Sequence, residues 1–154
     1  MKRLLLLNLL VLFGLTTYSQ VNIYNPNADA KTEIAKAISK ANQENKHIFI
    51  QIGGNWCPWC VKLHNFLNAD STLSEILYNN YVVVKVNYSK ENKNLDILEK
   101  FDKPQRFGFP VLVILDSNGN RIHTQDSGLL ESGEGYDRKK VMSFLKNWTP
   151  EALK

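Results

Sequence analysis

Cysteine is scarce in this chain: 154 residues hold two, Cys57 and Cys60. So few exclude the disulfide-dense scaffold of a small secreted protein. They also leave a structural zinc site, which takes four ligands, without a second pair. The three histidines, His47, His64 and His123, supply no second cluster. Long apolar runs are missing too. The stretch Leu4 to Leu15, broken by Asn8 and Gly14, is about 12 residues long and falls short of the ~20 that span a bilayer. Dense Lys/Arg runs and basic stripes interleaved with aromatics are absent, so nothing points to nucleic acid. The charges of "KENKNLDILEKFDK" are mixed in sign, as on a solvated face. No repeat or low-complexity segment occurs.

What is present begins with an address. Lys2 and Arg3 precede the apolar run, and small or polar residues follow it, with Thr17 and Ser19 where a signal peptidase takes small side chains. This is the order of a secretory signal, with the cut expected between Ser19 and Gln20. No cysteine lies near the cut, so a lipid anchor is not expected. The expected organisation is a signal over 1–19, a lead-in over 20–27 and one domain over 28–154. The mature protein is expected to be exported, periplasmic or secreted, with no stable membrane anchor. The net charge of +4 comes partly from Lys2 and Arg3, so the mature part is only weakly basic. Its ~135 residues suffice for one hydrophobic core.

The domain reads as alternating elements. "DAKTEIAKAISKANQENK" places Ile34, Ala37, Ile38 and Ala41 at helical spacing behind Asp29 as N-cap. "HIFIQI" reads as a buried strand and "YVVVKVNY" as the strongest strand of the chain. Between them "CVKLHNFLNA" and "STLSEILYNN" are helical, with a break near Asp70. "NLDILEKFD" is a short helix and "FGFPVLVILD" a strand led in by Gly108 and Pro110. Asn118-Gly119 signals a hairpin into an alternating strand. A glycine-rich loop is expected over 127–135, then a last amphipathic helix in "YDRKKVMSFLKNW", with Val141, Phe144, Leu145 and Trp148 on its apolar face. Strands alternating with helices imply parallel pairing, and the hairpin adds an antiparallel pair. The expected product is an α/β fold: a mixed, roughly four-stranded central sheet with helices on both faces.

The chemistry gathers in "GGNWCPWCVKLH". A strand feeds a Gly-Gly-Asn loop, and Pro58 suits the first position of a helix because it has no amide hydrogen to leave unpaired. Cys57 then sits at the helix N-terminus, facing free amides and the positive end of the macrodipole. Such a place lowers a thiol pKa from about 8.5 toward, at the extreme, ~3.5. The thiolate is the nucleophile of disulfide exchange. Cys60, one turn on and more shielded, is within reach of Cys57, so Cys57 is expected to attack and Cys60 to resolve. Haem attachment needs His directly after the second Cys, and position 61 is Val. A purely structural disulfide closing so small a loop adds little stability. A redox pair is the leading reading. The alternative is an envelope metal-handling module in which Cys57, Cys60 and His64 hold a soft ion such as Cu(I).

"NWCPWC" after "HIFIQI", together with "FGFPVLVILDSNGN" around "VVVKVNY", resembles the thioredoxin superfamily over roughly residues 28 to 148. The exported context resembles the periplasmic thioredoxin-like proteins. The resemblance implies a protein-disulfide oxidoreductase fold in which Cys57 is the nucleophile and Cys60 the resolving thiol. Trp56 matches the tryptophan that shields the disulfide, and Pro110 the cis-proline facing the site, so that Phe109 meets an extended partner. Trp56, Pro58, Trp59, Phe109 and Pro110 form the expected partner-binding surface. Lys85 matches a lysine near the buried side of the site. Gln51 departs from the pattern: the family usually carries an Asp there that helps deprotonate the resolving thiol. Phe109 is bulkier than the usual Ile, Val or Thr. The redox pair itself carries the electrons, so neither cofactor nor metal is implied. The implied partners are protein or peptide disulfides and an upstream thiol/disulfide electron partner. The uncharged Trp59 favours a reductase or interchange role over a strong oxidase.

Overall fold

The computed structural model describes residues 22–154. The expected signal and its cut after Ser19 lie outside the described residues. Helix α1, Ala30–Glu44, starts where Asp29 accepts a hydrogen bond from the Thr32 amide at 3.1 Å. It ends at Asn45, whose left-handed φ of 53° turns the chain toward the sheet. Strand β1, His47–Gly53, is buried along its whole length. It lies between β2, Tyr81–Asn87, paired parallel, and β3, Val111–Leu115, paired antiparallel. β4, Arg121–Asp126, closes the order β2-β1-β3-β4. The β3–β4 hairpin turns through Asn118-Gly119, with Gly119 at φ 87°. A strand covered on both faces must be nearly continuously apolar, and "HIFIQI" is, except for His47 at its start and Gln51.

Helices α2, Pro58–Ala69, and α3, Ser71–Asn80, carry the chain from β1 to β2. Asp70 separates them, capping α3 by accepting from the Leu73 amide. α4, Leu95–Lys100, lies between β2 and β3, and α5, Arg138–Asn147, follows β4. Alternation along the strands splits the core into two layers. Ile48, Ile50 and Ile52 face α1 and α4, packing on Ile34, Ala37, Leu98 and Phe101. Phe49 faces α2, α3 and α5 among Leu63, Leu67, Leu73, Phe144 and Leu145. The result is the expected α/β fold, a mixed four-stranded sheet with five helices on its two faces.

Two segments differ from expectation. Residues 127–135 are not a plain loop. They form a 3-10 turn, Ser127–Leu130, and a small ribbon of β5, Glu131–Ser132, and β6, Gly135–Tyr136. The ribbon delivers the buried Tyr136 to the α2 side of the core. A second 3-10 turn, Pro104–Phe107, precedes Gly108. No helix among the described residues is long and apolar enough to cross a membrane.

Candidate active site

Gly53 ends β1 with the sheet behind it, and Gly54 starts the loop to α2. A Cβ on Gly54 would run into the Trp56 indole and lie 2.7 Å from the Tyr88 carbonyl oxygen. The tight approach lets Trp56 Nε1 donate to that oxygen at 2.6 Å. Pro58 opens α2 as expected and Cys57 is its N-cap, in extended backbone. The Cys57 sulfur accepts from the Cys60 amide at 3.2 Å, so a helix-end donor already points at the atom that would carry a thiolate charge. Cys57 and Cys60 are joined as a disulfide. Both are buried, Cys57 at 3% exposure and Cys60 at 0%, so what little solvent contact exists belongs to Cys57.

The rim is aromatic. Trp56 is 54% exposed and meets Phe109 edge-on with ring centroids 5.6 Å apart. Phe109 lies against Tyr88 at 4.7 Å and packs on the cluster of Tyr24, Cys57 and Cys60. The Phe109–Pro110 peptide bond is cis, and Pro110, buried, leads directly into β3. Trp59 is half-buried, edge-on to Tyr136 at 5.5 Å, with the Lys62 ammonium 4.3 Å over its ring. Pro58 is exposed. Beside Trp56 a groove opens, lined by Tyr88, Ser89, Lys90, Glu91 and Lys93. The structure thus gathers Trp56, Pro58, Trp59, Phe109 and Pro110 about the disulfide.

Behind the disulfide lies a polar chain. Gln51 and Lys85 are register partners on β1 and β2, so their side chains leave the same face. Lys85 Nζ donates to Gln51 Oε1. Gln51 Nε2 donates to the Cys60 carbonyl at 3.0 Å and to the Tyr24 hydroxyl at 2.8 Å. Burial pushes the Lys85 amine down to about 7. Burial pushes the Tyr24 hydroxyl well above its ordinary value, only partly offset by the Gln51 hydrogen bond. His64, further along α2, is lowered by burial and by the nearby Lys85 charge.

Tyr24 and Asn55 escaped the sequence reading. Asn55 Oδ1 accepts from the amides of Ile23 and Tyr24 at 2.9 and 3.0 Å, and its Nδ2 donates to the Tyr24 carbonyl at 2.8 Å. This clamp lays the lead-in over the site. Its sole sequence signal is an Ile-Tyr pair in an otherwise polar segment. His47 and His123 are structural: His47 Nδ1 pairs with the Trp148 carbonyl at 2.7 Å, and His123 stacks on the Trp148 ring at 4.1 Å. Among the described residues no three His, Cys, Asp or Glu side chains group as metal ligands. His64 Nδ1 is taken up with the Asn68 amide at 3.2 Å.

Comparison with known proteins follows the same lines. The profile of the thioredoxin-like domain matches residues 34–135. A disulfide bond reductase, DsbH, of Chlamydia pneumoniae is 27% identical over 120 residues, covering 73% of this chain and 70% of that protein. A disulphide isomerase structure from Xylella fastidiosa Temecula1 superposes with a TM-score of 0.73 at 24% identity, covering 82% of this chain and 96% of its own. A thioredoxin from Thermus thermophilus gives 0.53 at 16% identity, over 73% of this chain and 81% of its own. The chain belongs to the thioredoxin-like domain family, as a thiol–disulfide oxidoreductase with Cys57 and Cys60 as its CXXC pair.

Proposed function

We propose that this protein reduces or interchanges disulfides of protein or peptide partners in the cell envelope. The observation that carries this reading is the place of Cys57: N-cap of α2, bonded to Cys60 and bordered by the aromatic rim and the cis-proline. In the reduced pair the Cys57 thiolate attacks one sulfur of a partner disulfide. The Cys57–partner bond forms as the partner bond breaks, and the other partner sulfur leaves as a thiolate that takes up a proton. Cys60, deprotonated, then attacks the Cys57 sulfur. The intramolecular disulfide forms and the second partner sulfur departs, protonated in turn. Two electrons have passed from the pair to the partner, and an upstream dithiol donor restores the pair.

The partner chain lies extended beside Phe109 and Pro110, with Trp56 as a side wall and Pro58 and Trp59 at the exposed helix start. Trp59 brings no charge to stabilise a thiolate beyond the helix end, which favours a reducing pair. The likeness to a protein named a disulfide bond reductase points the same way. Export rests on the signal-like order of residues 1–19. A mature N-terminus at Gln20 on the purified envelope protein is the expected result.

Trapping tests the reading. Cys60→Ala leaves Cys57 held in mixed disulfides with its partners, and Cys57→Ser abolishes both the trap and insulin disulfide reduction. An empty trap under native expression refutes the exchange role. A reduction potential well below that of isomerases, roughly −180 mV, supports the reductase, and one near about −120 mV overturns it.

A further inference from the structure

The Gln51 amide has one permitted orientation. Its Oε1 faces the Lys85 amine and its Nε2 faces the Cys60 carbonyl; flipping it would set donor against donor and acceptor against acceptor. The second Nε2 hydrogen therefore goes to the Tyr24 oxygen. Tyr24 is an acceptor in that bond, and its own hydrogen is left to donate elsewhere. Among the described residues no acceptor is bonded to it. The Cys60 sulfur is a candidate, since Tyr24 packs in one buried cluster with Cys57 and Cys60. The space a Cβ on Gly53 would fill is entered by both the Cys60 sulfur and the Tyr24 hydroxyl, the latter 2.8 Å from that position. Tyr24 is 2% exposed, so water does not compete freely for the bond.

We infer that the Tyr24 hydroxyl, held by Gln51 and Lys85, is the hydrogen-bond donor that stabilises the Cys60 thiolate when the mixed disulfide is resolved. The inference rests on the proposed exchange reaction. A disulfide sulfur is a weak acceptor, so the bond matters little in the oxidised state. When the pair is reduced, the thiolate becomes a strong one. The chain then runs in one sense: Lys85 donates to the Gln51 oxygen, the Gln51 nitrogen to Tyr24, and Tyr24 to sulfur. Each bond polarises the next. Burial keeps the Tyr24 hydroxyl protonated, so it acts as a donor and not as a base. The Cys60 proton ends on the departing partner thiolate. Gln51, which cannot take a proton, thus serves as a positioning residue where the family usually has a carboxylate, and the lead-in supplies the working group. Other titratable side chains acting on this chain of hydrogen bonds are Lys85 on β2, bonded to Gln51, His64 on α2, within reach of the Lys85 charge, and Tyr136 on β6, which acts on Tyr24; Tyr24→Phe leaves all three in place.

The test separates this inference from the exchange reaction itself. In Cys57→Ala protein Cys60 is the one remaining thiol, and its titration is read by thiolate ultraviolet absorbance without any partner. Adding Tyr24→Phe should lower its acid dissociation constant about tenfold, the worth of one hydrogen bond to a charged group. In the otherwise native chain, Tyr24→Phe should slow resolution by a similar factor, with its pH profile moved upward, so that resolution falls relative to attack. An unchanged Cys60 titration overturns the inference, even if exchange proceeds. A shifted titration in a protein that never forms a mixed disulfide upholds the hydrogen bond and refutes the exchange reading. Should Tyr24→Phe not fold, the native protein still decides: the Tyr24 ring-carbon resonance beside the hydroxyl must shift between oxidised and reduced forms, and an unmoved resonance overturns the inference.

Discussion

Gly53 and Gly54 show how single residues shape the site. Neither is needed for a left-handed turn; each is needed because another atom occupies the place of its side chain. At Gly53 the occupants are the Cys60 sulfur and the Tyr24 hydroxyl. Gly53→Ala forces a methyl between them in a buried setting where neither the disulfide nor the clamped lead-in moves freely. The expected cost is about 1–3 kcal/mol, as for overpacking elsewhere, read as a lower urea midpoint at unchanged slope. A variant as stable as the native protein would mean the lead-in yields. The same pair of residues marks what the sequence made legible. "CPWC" could be read because helix start, proline and cysteines are neighbours in the chain. Tyr24 could not, because it meets Cys60 through space and the lead-in has no period to show which side chain turns inward. Gln51 was visible as a departure, yet its three partners come from the lead-in, α2 and β2.

Among the elements, α2 and α3 are one crossover split by one residue. Asp70 stops α2 in extended backbone and caps α3. Its carboxylate also takes two bonds from the Arg138 guanidinium, at 2.6 and 3.3 Å, tying the α2–α3 junction to the start of α5. That pairing and the Leu73 amide hold its carboxyl below the usual range. The contribution is present at neutral pH and fades as acid protonates the group through its lowered pKa. Asp70→Ala should lower the thermal midpoint by several degrees at pH 7 and much less once pH falls below the carboxylate range. Arg138→Ala should lower it less, since the cap survives, and a double variant no worse than Asp70→Ala alone identifies the pair as coupled. Equal losses from the two single variants would contradict the capping role. The Asp70 break was legible because Asp before a Ser-Thr-Leu start is a cap signal. The β5–β6 ribbon was not: two-residue strands carry no alternation, and Tyr136 is pinned by Trp59 and Phe66, which lie about 70 residues away in the chain.

For the whole molecule, the buried and half-buried titratable groups around the sheet set how stability follows pH. The Lys85 amine titrates at about 7 in the folded protein against an ordinary 10.5. Between those values the unfolded chain holds more protons than the folded one, so stability rises with pH across that window. Tyr24, Tyr81 and Tyr136 act in the opposite sense. Burial raises all three above their ordinary 10.0, so their contribution is complete below that value and is lost as pH climbs past it. The oxidised protein should therefore be most stable on the alkaline side of neutrality, rising from pH 7 and falling again beyond about 10. Lys85→Met removes the rising limb. Its thermal midpoint relative to the native protein should be most favourable below pH 7 and worsen steadily toward pH 10. A difference that stays flat across that range would show that Lys85 reaches solvent when charged. In that case Gln51 would lose its fixed orientation at low pH, and any effect of Tyr24 on Cys60 should weaken in step. The stability titration and the Cys60 titration thus report on one chain of hydrogen bonds from opposite ends.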